Sequence, residues 1–172
     1  MTRLAAPDAV IVRAMPNTPA AIGAGVTCLC AGQPMTKDAR ATCTELMAAV
    51  GSVEWIDDES DMDAVTAVSG SGPAYVFLLI ECLTEAAIAA GLDAELAARL
   101  ATATVAGAGA YAANAEADAA TLRRQVTSPN GTTAAALAVL QRDGALEKLI
   151  VEAVAEAKRR SQELGEKAKS HD

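Results

Sequence analysis

Three short stretches of this sequence hold the residue types that could do chemistry. They are Met15-Pro16-Asn17-Thr18-Pro19, Ser69-Gly70-Ser71-Gly72-Pro73-Ala74 and Thr127-Ser128-Pro129-Asn130-Gly131-Thr132-Thr133. In the third, Pro129-Asn130-Gly131 makes a turn, and Thr132 or Thr133 is placed to cap a following helix. The free N–H groups at such a start carry the positive end of the helix dipole. With the hydroxyls of Ser128, Thr132 and Thr133 beside them, they read either as a cradle for a carboxylate or phosphate or as a plain capped turn. In the second stretch two glycines let a ligand approach the backbone and the serines offer hydroxyls; the other reading is a cap and hinge. In the first, the two prolines force an extended loop just beyond a strand end, where α/β sheets place their ligands. Asn17 there can pair with an amide in two directions, or it is turn chemistry alone.

The types that are missing narrow the chemistry. The only histidine, His171, lies next to the C-terminus, which argues against Ser-His-Asp and Cys-His mechanisms. Cys28, Cys30, Cys43 and Cys82 include a C-x-C but no C-x-x-C, and no histidine is near them, so no metal site is expected. Cys28 and Cys30 fall on one face of a strand. Carboxylates are many and solvated, so no acid–base pair stands out. Chemistry on this chain must rest on positioning more than on a strong base.

The elements that position these stretches can be read from the pattern. Val10-Ile11-Val12 is a strand, Gly25 to Cys30 a second, and Val53 to Ile56 a third. Thr36 caps a helix through Val50, with Gly51 placed to end it. Strand, strand, helix, strand is an α/β layer. From Ser60 onward the signals are helical. Asp61 to Val68 is a short helix broken by Ser69–Pro73; Pro73 then suits the first turn of a helix to about Ala90, ended by Gly91. Asp93 caps a long helix to about Ala115, and shorter helices cover Ala119 to Val126 and Ala134 to Arg142. After the turn Asp143-Gly144 a last helix runs from Ala145 to about Leu164, with a frayed polar tail from Gly165. The composition shift near Asp57–Asp61 divides the chain into 1–58 and 59–172.

The 172 residues are 52% hydrophobic but only 2% aromatic, and alanine makes up about a quarter, well above ordinary usage. That excludes a disordered chain, a collagen-like repeat and a disulfide scaffold. Clusters such as Ala86, Ala87, Ala89, Ala90 and Ala103, Ala106, Gly107, Ala110 let helices approach closely, within one chain or between two. With so little bulk for a private core, an intertwined dimer is expected. Gly107 to Ala112 formally matches G-x-G-x-x-G/A, but no strand precedes it, so its glycines read as contact points between helices. Lys plus Arg is 14 against 22 for Asp plus Glu, a net charge of -8, which argues against nucleic acid as a partner. No uncharged run reaches the length of a membrane span, and no apolar segment follows Met1-Thr2-Arg3. Free thiols then suggest a reducing, cytoplasmic compartment.

The three stretches, in this order, resemble the pattern of pyrroline-5-carboxylate reductases: Met-Pro-Asn-Thr-Pro, Ser-Gly-Ser-Gly-Pro-Ala-Tyr, then Thr-Ser-Pro-Gly-Gly-Thr-Thr. The likeness runs from about Val10 to Leu164, with Asn130 in place of the first glycine of the last motif. What it implies is a mainly α fold: an all-helical dimerisation domain at 59–172, preceded at 1–58 by a short α/β remnant of a Rossmann-like dinucleotide-binding domain. It implies reduction of 1-pyrroline-5-carboxylate to L-proline by a hydride from NADPH or NADH. Ser128, Gly131, Thr132 and Thr133 would hold the substrate carboxylate, and the Thr133 hydroxyl would donate to the ring nitrogen. Glu116 aligns with an acidic residue thought to take part in catalysis. Met15, Pro16, Asn17 and Thr18 would lie beside the cofactor, with Ser71, Gly72 and Pro73 near the nicotinamide. The expected partners are a second copy, or a higher assembly of such dimers, and a small-molecule substrate. The glycine-rich fingerprint of that domain is not in these residues, which implies the C-terminal part of the enzyme with little activity by itself. The alternative is a non-catalytic helical oligomerisation or regulatory module.

Overall fold

The computed structural model describes residues 9–170; the expectations placed on Met1–Arg3 and His171 lie outside them. Three strands form one sheet in the order β1 (Val12–Pro16), β2 (Gly25–Ala31), β3 (Gly51–Ile56). β1 runs antiparallel to β2, and β2 parallel to β3. A parallel pair needs a crossover, and helix α1 (Lys37–Ala48) supplies it, capped by Thr36 Oγ1, which accepts from the Ala39 amide at 3.2 Å. Trp55 of β3 holds that helix: its Nε1–H donates to Thr44 Oγ1 at 2.9 Å, and the Arg40 guanidinium lies 4.2 Å over the ring.

Two local expectations are corrected. β1 starts later than the apolar run Val10-Ile11-Val12 and takes in Met15 and Pro16, which the prolines had assigned to a loop. Pro16 is tolerated because it is the last residue of a strand with a neighbour on one side only. Gly51 does not end α1; it opens β3 opposite Gly25, with φ +145, where any Cβ would collide with the Gly25 carbonyl.

Thr27, Cys28, Leu29 and Cys30 are all buried. Successive side chains of a strand point to opposite faces, so β2 is covered on both sides, with Cys28 and Cys30 sharing one. Burial pushes both thiols up, and nearby carboxylates, Glu54 for Cys28 and Glu59 for Cys30, add to it. Since the thiolate is the nucleophile, iodoacetamide at neutral pH should alkylate half-buried Cys43 more than about tenfold faster than Cys28 or Cys30. Peptide mass mapping over time checks the order; early labelling of Cys28 would show that β2 opens readily.

Beyond β3 the chain is helical. A 3-10 turn (Glu59–Asp61) leads into α2 (Met62–Val65), a single π turn (Thr66–Gly70) and α3 (Gly72–Ala89). The break expected at Ser69–Pro73 is therefore a nearly continuous helical path. Only Ser71 stands between the turns, in helical geometry (φ -83, ψ -24), and its N–H donates to Thr66 O, five residues back, at 2.9 Å. Pro73 sits in the first turn of α3, as expected. Then follow α4 (Ala94–Asn114), capped by Asp93, and α5 (Ala119–Gln125), capped by Asp118. The last two helices are α6 (Thr132–Leu140) and α7 (Ala145–Ser170). α7 continues through Gly165 instead of fraying. Arg159 and Arg160 pair with Glu156 and Glu163 across its later turns, and one helical glycine costs only about 1 kcal/mol.

The chain divides into two compact units, Met1–Pro73 with Ala153–Asp172, and Ala74–Glu152; both cuts fall inside helices, α3 and α7. Few bulky side chains are enclosed. Leu29 and Met62 are the largest apolar ones with no appreciable exposure, and α3 and α6 contain no buried residue. On α3, Phe77 is 56% exposed and Leu78 58%. Gly107 and Gly109, expected as helix contact points, have no atom of another element among the described residues within 4 Å of a Cβ built on either. Among the described residues one helical run, Glu59–Ala89, is long and apolar enough to cross a membrane by length and composition.

Candidate functional site

The first unit brings two of the three stretches together. Asn17 follows β1 in extended geometry (φ -117, ψ 167) and opens the 3-10 turn Thr18–Ile22. Its carboxamide does pair in two directions. Oδ1 accepts from the Val26 amide at 3.0 Å, and Nδ2 donates to Ser69 O at 3.3 Å. Gly70 lies against Met15: a Cβ there would meet Met15 Cε, the free end of that side chain, at 2.7 Å. Met15, Asn17, Ser69 and Gly70 thus form one junction, with Ser71, Gly72 and Pro73 half-buried beyond it and Pro16 and Thr18 exposed. A Cβ on Gly72 would meet nothing within 4 Å, so the backbone there is open to approach. Ser69 Oγ is buried and lacks a hydrogen-bond partner; such an orphan atom is costly unless something polar reaches it. Met15 and Thr66 also line a cleft of about 880 Å³, whose other walls include Arg13, paired with Glu59 at 3.0 Å, and Asp63, which accepts from Ser161 at 2.6 Å.

The third stretch lies in the second unit. Asn130 takes φ +59, a left-handed geometry that asparagine tolerates better than most residues. The Gly131 amide donates to Ser128 O at 3.1 Å, which closes the turn. Gly131 itself (φ -79, ψ 175) is the N-cap of α6, with no side-chain cap. This corrects the expectation that Thr132 or Thr133 caps: both are already inside the first turn. A Cβ on Gly131 would collide with Ser128 Oγ and lie 3.2 Å from Ser128 O, so glycine alone fits without displacement. α1, α4 and α5 each have a side-chain oxygen on their first-turn amides, from Thr36, Asp93 and Asp118. α6 has none, and no acidic residue in its first turn. Its leading amides and dipole therefore favour an outside anion, with the half-buried Thr133 and exposed Ser128 and Thr132 beside them.

Sequence reasoning missed two residues near this turn. Arg123 and Arg124, in the last turn of α5, line with Thr127, Ala134 and Leu137 a cleft of about 360 Å³. Two adjacent cations just before an anion-favouring loop, in a chain of net charge -8, were the available signal. Glu116 stands exposed between α4 and α5, and among the described residues no hydrogen bond or ion pair joins it to the Thr127–Thr133 loop. No group of three His, Cys, Asp or Glu side chains among the described residues could hold a metal ion.

Residues 59–164 match a family model described as pyrroline-5-carboxylate reductase dimerisation. Among curated proteins, the chain is 48% identical over 161 residues to a pyrroline-5-carboxylate reductase of Synechocystis, covering 94% of this chain and 60% of that one. It is 47% identical to the enzyme of that name from Pseudomonas aeruginosa, over 91% of this chain and 57% of the relative. Among solved structures, a pyrroline-5-carboxylate reductase from Coxiella burnetii superposes with a TM-score of 0.87 at 44% identity, over 91% of this chain and 57% of that one. A pyrroline carboxylate reductase from Plasmodium falciparum with NADP bound gives 0.79 at 31% identity, over 92% and 60%. The chain thus spans less than two thirds of the length of these relatives.

Proposed function

The chain belongs to the pyrroline-5-carboxylate reductase family, and from that premise we propose that it forms the dimerising, substrate-binding part of an enzyme reducing 1-pyrroline-5-carboxylate to L-proline with NAD(P)H. The observation that carries this reading is the uncapped start of α6 behind the glycine-only turn at Gly131. An amino-acid carboxylate is the kind of anion such a start accepts. In this reading Ser128 and the amides from Gly131 to Thr133 hold the carboxylate. The Thr133 hydroxyl donates to the ring nitrogen as its charge changes, and Arg123 and Arg124 raise the local concentration of the anion. Glu116 is kept as a secondary candidate that must reach the site from its loop.

Bound nicotinamide supplies a hydride to the C=N carbon, while the ring nitrogen ends with a proton. Met15, Pro16 and Thr18 with Ser71, Gly72 and Pro73 are the residues that would hold the nicotinamide end, with Asn17 beside it among them. The open backbone at Gly72 and the orphan hydroxyl of Ser69 suit that role. The described residues contain no strand–turn–helix fingerprint for a pyrophosphate, so the fit is to one end of the cofactor only. Such chemistry needs orientation and one donor, which suits described residues that include no histidine. Residues 59–172 act as the helical dimerisation domain, and 1–58 as part of the dinucleotide-binding domain. A second copy covers the apolar residues of α3, and the free thiols suit a reducing, cytoplasmic compartment.

Calorimetric titration of the chain with L-proline tests the carboxylate site. Saturable binding at millimolar concentrations is expected, and Gly131→Val should abolish it without unfolding α6. A folded chain that shows no saturable binding would overturn the proposal and leave a helical oligomerisation module.

A further inference from the structure

The junction in the first unit poses a hydrogen-bonding question that sequence order hides. In an α-helical path the carbonyl of Ser69 would accept from the amide of residue 73, four positions on. Residue 73 is proline and has no N–H, so that bond cannot form. The chain nevertheless continues helically through this point, with Ser71 in helical geometry between the π turn and α3. The donor that reaches Ser69 O comes instead from Asn17 Nδ2, at 3.3 Å, 52 residues away in sequence. The same side chain is fixed from its other end by the Val26 amide at 3.0 Å, which sets its rotamer and assigns its oxygen and nitrogen. Met15, two residues earlier, lies over Gly70, next to the same carbonyl. π turns recur at functional places in helices, and here one carries Ser69, whose hydroxyl is buried without a partner.

We infer that Asn17 is a positioning residue: its carboxamide supplies the donor that Pro73 lacks and so fixes Ser71-Gly72-Pro73 against the end of β1. The two stretches assigned to the nicotinamide are then one unit, held by a single side chain. Asn17 is engaged at both ends within the chain, so its part is to hold the cofactor's neighbours in register. The donor replacement stands on geometry alone; its bearing on the cofactor rests on the reductase reading above.

A double-mutant cycle tests the replacement. Asn17→Ala removes both bonds, and Pro73→Ala restores a backbone N–H aimed at Ser69 O. Loss of the Val26 bond is common to both backgrounds and cancels. Asn17→Ala should raise the unfolding constant about tenfold more in the unchanged chain than in the Pro73→Ala background, the lower range for leaving a part-buried carbonyl unpaired. Equal effects in both backgrounds would overturn the inference. If Asn17→Ala does not fold, hydrogen exchange in Pro73→Ala alone decides. The backbone amide that this substitution introduces should be protected, and the Asn17 side-chain amide should exchange faster than in the unchanged chain; an unprotected backbone amide at that position overturns it. In the full-length enzyme, Asn17→Ala should raise KM for NAD(P)H several-fold more than it lowers kcat, and Pro73→Ala should restore it, a rescue that general destabilisation does not give. Turnover by the unchanged enzyme upholds the reductase reading even where the cycle shows no coupling, so the two can fail separately.

Discussion

If Thr133 is the donor proposed above, Thr133→Val in the full-length enzyme should lower kcat/KM for the imine by about a hundredfold, the lower range for losing a positioned proton donor. Valine keeps the branched shape, the backbone amide and the helix start, so the change isolates one hydroxyl. Most of the loss should fall in kcat, because in the proposed reading the bond to the ring nitrogen would strengthen as that nitrogen changes charge in the transition state. Ser128→Ala, by contrast, should act mainly on KM, since an exposed hydroxyl beside a carboxylate stabilises substrate and transition state alike. Steady-state kinetics for the two variants separate these roles. An unchanged kcat in Thr133→Val would remove Thr133 from the reaction and leave it as a residue of the first helical turn.

Phe77→Asp has the other large expected effect, on assembly. Phe77 is more than half exposed on a helix none of whose residues is buried, and it lies among Val76, Leu78 and Leu79, each at least 43% exposed. Four consecutive helical positions point all round the helix, and a helix apolar on every side needs covering; the family model matched over 59–164 is described as dimerisation, which makes a second copy the proposed cover. In a two-fold dimer each substitution counts twice. Losing a buried aromatic side chain costs about 3 kcal/mol per copy, so the dimer dissociation constant should rise by roughly 10⁴-fold. Sedimentation at micromolar concentration should then show the variant as a monomer and the unchanged chain as a dimer. A variant that stays dimeric would show that α3 is covered by something other than the partner copy.

What the sequence made legible follows the range of the interaction. The caps Thr36 and Asp93 were readable because a cap bonds an amide two or three residues ahead; Asp118 carried the same signal and was not read as a cap. The α6 start was misread for a subtler local reason: left-handed Asn130 leaves Gly131 extended, which moves the cap one residue before the two threonines that look suited to it. Gly51 reads as a helix terminator until its partner Gly25 is known, and only strand pairing supplies that partner. The bond from Asn17 to Ser69 has no local signature at all; each residue alone looks like turn chemistry. Arg123 and Arg124 were passed over because adjacent cations at a helix end are also the ordinary complement of its dipole. The order of the three motifs pointed to a family, but which motifs the fold joins through hydrogen bonds was visible only in space.

The scarcity of enclosed bulky side chains has a consequence for how this protein keeps its shape over time and across expression levels. When much of the apolar burial comes from association, folding and pairing share one equilibrium, and the amount of chain present enters the stability itself. The melting temperature of such a protein climbs with its concentration, and dilution alone acts as a mild denaturant. A weakly expressed copy is then less stable than an abundant one of identical sequence, so gene dosage becomes a determinant of its lifetime.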